Sequence, residues 1–236
     1  MHSSTAFLMI LLAAAACGPT PHAGASPATS LSAAPCTGTD GQTFDITSPD
    51  GYVRHAAVYG SATKVVVIAH QSDQTRCDVV PIARWLRESG YAGVAVDLAG
   101  DWLGVLRAIV KEMRARGATS VQLLGASKGG CAAMIAGADI TPAVSSVVSI
   151  GGERNLGGEF NADAAVARSH VPLFIVTSED DGYLLGPEAR ILLAESASKD
   201  KKALILPGTQ HGLELLDGPN AQQVKQAILA FLAAHA

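Results

Sequence analysis

The chain has 236 residues, a formal net charge of −4 and 48% hydrophobic residues. That length and apolar content suit one large core-forming domain and exclude a disordered or fibrous chain. With 17 basic against 21 acidic residues there is no basic footprint for a nucleic-acid partner. The charges are unevenly placed: the first is Asp40, so a charge-free leader precedes a globular body.

The leader contains the apolar run Ala6–Ala16, AFLMILLAAAA, which ends at Cys17. It is shorter than the about 20 residues of a membrane-spanning helix, and it matches the apolar region of a secretory signal. With Ala14, Ala15 and Ala16 before the cysteine, residues 1–17 resemble a bacterial lipoprotein signal. The resemblance implies lipidation of Cys17 and anchorage at the extracellular or periplasmic face of the membrane; plain secretion is the alternative. Residues 18–39, rich in Pro, Ala and Ser, read as a flexible tether, and residues 40–236 as the domain.

Within the domain, Thr43–Ser48 and Tyr52–Tyr59 flank Pro49-Asp50-Gly51, a turn signal that predicts a β-hairpin. Lys64–Ala69 (KVVVIA) is a β-branched run expected of a strand buried on both faces. Asp78–Ser89 has helical spacing through Val79, Ile82, Ala83 and Leu86, and Tyr91–Leu98 is the next strand. Trp102–Arg116 is a helix with Leu103, Leu106, Ile109, Val110 and Met113 on one stripe and Gly117 as its C-terminal cap. The alternation continues with strand Ser120–Leu124, helix Lys128–Ala138, and strands Ala143–Ile150 and Val171–Thr177. Helix Pro187–Ala197, strand Lys202–Leu206 and helix Ala221–Ala234 complete it. This order predicts an α/β domain: a mostly parallel sheet with an N-terminal antiparallel hairpin and helices on both faces. Residues 151–170 are too few for a cap domain, which predicts a shallow, open site.

Cys131 falls on the apolar side of a predicted helix with Met134 and Ile135, so burial is its expected role. With Cys17 lipidated and the compartment oxidising, Cys36 and Cys77 are the expected disulfide pair, closing a loop worth roughly 4 kcal/mol. No Cys/His spacing suggests a metal site.

The chemistry centres on Gly125-Ala126-Ser127-Lys128-Gly129-Gly130, directly after a strand and opening a helix. A serine on such a turn projects its hydroxyl above the sheet edge, and crowding demands small residues two before and two after, here Gly125 and Gly129. The helix N-terminus aims N–H groups at the same place. His211, after strand Lys202–Leu206, and the acids Glu179, Asp180 and Asp181, after strand Val171–Thr177, emerge at the same edge of a parallel sheet. Serine, acid and histidine in that chain order supply a nucleophile, an orienting carboxylate and a base.

With VVVIAHQ (65–71), GASKGG (125–130), SEDDG (178–182) and PGTQHG (207–212), residues 40–236 resemble the α/β-hydrolase superfamily, particularly small dienelactone-hydrolase-like bacterial serine esterases. The resemblance implies Ser127 as nucleophile, His211 as base and Asp181 as its partner, with no cofactor. It also implies an oxyanion hole from Lys128 N–H and from Ser72 or Gln71 N–H. The family's His-Gly is replaced by His70-Gln71, and His70 is expected to be a structural hydrogen-bonder. Asp180 is expected to point elsewhere and Glu179 to be solvated. The Lys128 side chain is either a surface cation or an attractor of anionic substrates. The expected substrates are small carboxylic esters. A cell-envelope acyltransferase and a catalytically silent binding lipoprotein are the alternative readings.

Overall fold

The computed structural model describes Cys36, Gly38 and residues 40–236; the expected signal, Cys17 and the rest of the tether lie outside the described residues. Gln42–Thr47 (β1) and Val53–Tyr59 (β2) pair antiparallel, with Thr47 opposite Val53. Gly51 closes their turn at φ +83°, a region open to glycine without steric cost.

Lys64–Ala69 (β3) explains its own unbroken apolar sequence. Val65, Val67 and Ala69 face one core, Val66 and Ile68 the other, and all are buried. Successive side chains of a strand point to opposite faces, so a strand covered on both sides has no polar positions to alternate. Ala92–Val96 (β4), Ser120–Ala126 (β5), Val147–Ile150 (β6), Leu173–Ser178 (β9) and Lys201–Leu206 (β10) join it in an eight-stranded sheet. The strand order is β1-β2-β4-β3-β5-β6-β9-β10, parallel except where β2 meets β1 and β4. Asn155–Gly157 (β7) and Phe160–Asn161 (β8) form a separate small hairpin.

Trp102–Ala115 (α2), Lys128–Asp139 (α3), Ala162–Val166 (α4) and Gly186–Glu195 (α5) cover one face of the sheet. Val80–Glu88 (α1) and Ala221–Ala234 (α7), with the short Glu214–Asp217 (α6), cover the other. Asp101 caps α2 by accepting from Gly104 N–H at 2.7 Å. Residues Gly129–Gly137 of α3 are all buried, more than one apolar stripe, because their glycines and alanines let neighbours close in from every side. Cys131 lies among them, and burial pushes its thiol up to about 12.

Two regions differ from the sequence expectation. Strand β6 begins at Val147, not Ala143; just before it, Ser146 donates its hydroxyl to the buried Gln122 side chain at 2.5 Å. Residues 151–170 are not a bare connection: they hold β7, β8 and α4, whose first turn is capped by Asn161 accepting from Ala164 N–H.

The start of the domain is fastened twice to the α1 side. Cys36 and Cys77 form a disulfide with Cα atoms 5.4 Å apart. Asp40 accepts from Arg84 at 2.8 and 3.0 Å and from Arg87 at 2.8 Å, contacts that hold its carboxyl well below the usual range. Reduction of the bridge, or Cys77→Ser, is expected to lower the melting temperature by about 10 °C, the scale of a disulfide closing a loop of this length. Thermal unfolding with and without reductant measures it, alongside thiol counting on the unreduced protein.

Candidate active site

Strand β5 ends at Ala126, and the chain turns at Ser127 with φ +51° and ψ −126° before entering α3. The turn is so tight that a Cβ on Gly125 would lie 2.1 Å from the Gly129 carbonyl oxygen. A Cβ on Gly129 would lie 2.3 Å from the carbonyl oxygens of both Ala69 and His70. The same absence of side chains therefore shapes the turn and seats it against the end of β3. Ser127 N–H donates to the Ile150 carbonyl at 2.9 Å, tying the turn to the end of β6. As the first residue of α3, Lys128 offers an N–H that no turn of its own helix can accept.

His211 follows β10 and meets Asp181, which follows β9. Its Nδ1 is 2.9 Å from both Asp181 carboxylate oxygens. Asp181 is fully buried and also accepts from Tyr183 N–H at 2.8 Å and Leu184 N–H at 3.3 Å. Burial pushes its carboxyl up, but the hydrogen bonds from His211 and these amides outweigh it, leaving the pKa below the ordinary value. The carboxylate thus stays charged and accepts from the imidazole at Nδ1, which turns Nε2 away from it. The Tyr183 ring stacks on the imidazole at 4.4 Å. Gly151, at φ +58°, makes the close approach possible: a Cβ there would fall 3.0 Å from His211 Nδ1 and 3.1 Å from Asp181 Oδ2. Asp180 is exposed. Glu179 is not simply solvated: it forms a two-pronged pair with Arg190 at 2.8 and 3.0 Å, which lowers its pKa.

The loop after β3 takes a different shape from a simple pair of donors. His70 is buried, donates from Nδ1 to the Gln71 carbonyl at 2.7 Å and accepts from Leu98 N–H at Nε2 at 2.9 Å. Both ring nitrogens are occupied and burial pushes its pKa down, so it is a neutral strut. Gln71 N–H, one of the two expected second donors, donates to the Gln74 side chain at 3.2 Å. The Gln71 side chain instead accepts from Leu213 N–H at 2.5 Å, bridging this loop to the one that carries His211. Ser72 is exposed.

The structure adds one residue that sequence reasoning missed. The Ser127 hydroxyl donates to Glu153 Oε1 at 3.3 Å, and among the described residues this, not a bond to His211, is its side-chain hydrogen bond. Glu153 lies just beyond β6, at the carboxyl edge of the sheet where Ser127, Asp181 and His211 also lie; that position was the signal available. The Lys128 ammonium is folded over the rings of Trp102 at 4.6 Å and Phe160 at 4.7 Å, so it is neither plainly solvated nor directed at an acid. Among the described residues no group of three or more His, Cys, Asp or Glu could hold a metal ion.

No protein-family model and no curated protein sequence matches the chain. Solved structures do. The esterase Pf2001 of Pyrococcus furiosus superposes with a TM-score of 0.75 at 15% identity, covering 83% of this chain and 91% of that one. A dienelactone hydrolase from Anabaena variabilis gives 0.66 at 22% identity, covering 83% and 99%. A monoacylglycerol lipase from Paleococcus ferrophilus gives 0.65 at 14% identity, covering 78% and 99%. At such identities the likeness is one of architecture, and with the sheet order and the turn at Ser127 it establishes that the chain has the α/β-hydrolase fold.

The two neighbouring aspartates provide a sharp test. Asp181→Asn is expected to lower kcat on a chromogenic ester by orders of magnitude, since the amide can hold the wrong imidazole tautomer. Asp180→Asn, at an exposed position, should change it by less than about tenfold. Steady-state kinetics of both variants on one substrate measure the difference.

Proposed function

We propose that the protein is a serine hydrolase that cleaves small carboxylic esters through an acyl-enzyme. The observation that carries this reading is the placement of Ser127, on a left-handed strand-to-helix turn beside the free Lys128 N–H, at the same sheet edge as the His211–Asp181 pair. The solved structures of similar fold, an esterase, a dienelactone hydrolase and a monoacylglycerol lipase by name, favour the same chemistry.

In the reaction the Ser127 hydroxyl leaves Glu153 and gives its proton to His211 Nε2 as Oγ attacks the ester carbonyl. Asp181 holds the imidazolium that results. The carbonyl oxygen becomes an oxyanion, stabilised by Lys128 N–H and the positive end of α3. A second donor comes from Ser72 N–H, or from Gln71 N–H once Gln74 yields. His211 then protonates the departing alcohol oxygen, and the C–O bond breaks to leave the acyl-enzyme. Water repeats the sequence, releasing the acid and restoring the Ser127 hydroxyl.

In the segment between β6 and β9 the accessible large apolar side chains are Leu156 and Phe160, and Phe160 already packs on Lys128 and Trp102. Each methylene left in water forgoes about 0.8 kcal/mol, so short acyl groups are the fitting substrates. We also propose export with anchorage through lipidated Cys17; the Cys36–Cys77 bridge supports an oxidising compartment.

Ser127→Ala is expected to abolish hydrolysis without loss of fold, a fall of about a million-fold in kcat for a removed nucleophile. Activity retained by the purified variant would contradict the assignment. On an acetyl-to-dodecanoyl ester series kcat/KM should peak at short acyl chains; a steady climb to dodecanoyl would contradict the open-site reading.

A further inference from the structure

We propose that Glu153 sets substrate specificity: its carboxylate selects esters bearing a cationic group close to the scissile carbonyl and disfavours anionic ones. This rests on Ser127 being the nucleophile. Glu153 Oε1 is 3.3 Å from the atom that would bond the substrate carbon, so any bound ester places its carbonyl within a few ångströms of this carboxylate.

The carboxylate has no direct cationic partner. Among the described residues no ion pair includes Glu153. The adjacent Arg154 is committed to Asp163 at 2.7 Å and Glu195 at 3.4 Å. Lys128, the cation next in sequence to the nucleophile, is drawn onto the faces of Trp102 and Phe160. A negative charge this close to a developing oxyanion raises the barrier for a neutral ester. An ammonium group carried by the substrate removes that repulsion, and the relief grows as charge builds on the oxygen, so it acts on the transition state and not only on binding.

A neighbouring depression carries the same sign. Across Gln71 from the site lies an open depression of about 650 Å³, between the loop after β3 and the loop bearing His211. Its charged lining residues are Asp78, Glu214 and Asp217, without a lysine or arginine. A cationic group of an ester that reaches this depression meets carboxylates and no cation, and an anionic one meets repulsion there and at Glu153.

The test uses the purified protein with matched substrates. In one arm the charge is on the acyl side: p-nitrophenyl esters of trimethylammoniobutyrate, its uncharged carbon isostere and hemiglutarate. In the other it is on the alcohol side: trimethylammonioethyl thioacetate and its neutral dimethylbutyl isostere. In at least one arm the wild-type kcat/KM for the cationic ester is expected to exceed that of its neutral isostere by about tenfold, a modest value for a half-exposed charge pair. Glu153→Gln should bring that ratio to near unity and raise the rate on the hemiglutarate ester. Glu153→Lys should invert the order. Ratios identical in wild type and both variants would overturn the assignment of Glu153, provided a fluorophosphonate still labels Ser127. Failure of that probe to label Ser127 in the wild type would overturn the hydrolase reading and this inference with it.

Discussion

Ser127 is held at φ +51° although it is not glycine, a conformation that costs on the order of 1–3 kcal/mol and persists only where the surroundings over-determine it. Here they do. Its N–H is bonded to the Ile150 carbonyl and its carbonyl accepts from Gly130 and Cys131 at the start of α3. Gly125 and Gly129 leave no room for the turn to relax outward. The strain lifts the hydroxyl above the sheet edge, and it points the first donors of α3 at the space beside it. Central strand β5, flanked by β3 and β6, carries this turn, so the whole parallel sheet serves to fix one side chain.

The remaining groups follow from the same edge. Parallel strands deliver their C-terminal loops to one side, and β3, β6, β9 and β10 place His70, Glu153, Asp181 and His211 there. The loops are then cross-linked by side chains: Gln71 to the amide of Leu213, and Asp181 to the imidazole and two amides. Rigid strands supply position and these short links supply orientation. Charge is distributed unevenly over the result. Asp181 is fully partnered, whereas among the described residues the Glu153 side chain holds only the Ser127 hydroxyl.

Much of this was legible in the sequence, for reasons that differ by element. The KVVVIA run of β3 could only be a strand covered on both faces, and the stripe of α2 only a helix with one buried side. The placement of Ser127, Asp181 and His211 at one sheet edge was legible because each comes within a few residues of a strand's C-terminal end, and strand ends are the best-determined points of a parallel sheet. The β7–β8 hairpin and α4 were not, since elements of two to five residues carry too few positions for a period to show. Glu153 and the side chain of Gln71 were missed because their roles depend on where a loop folds back, which pairs residues far apart in the chain. Glu179 is solvent-accessible as expected, and what was not legible is its pairing with Arg190, one helix turn into α5.

We propose that the strained turn makes Ser127 the nucleophile and Lys128 N–H its oxyanion donor. A crystal structure of the protein after reaction with a small alkyl fluorophosphonate tests it most directly. The expected result is a bond from phosphorus to Ser127 Oγ, a phosphonyl oxygen within hydrogen-bond distance of Lys128 N–H, and His211 Nε2 facing the oxygen that departed from Glu153. A phosphonyl group on any other residue, or one whose oxygen points away from the start of α3, would contradict it.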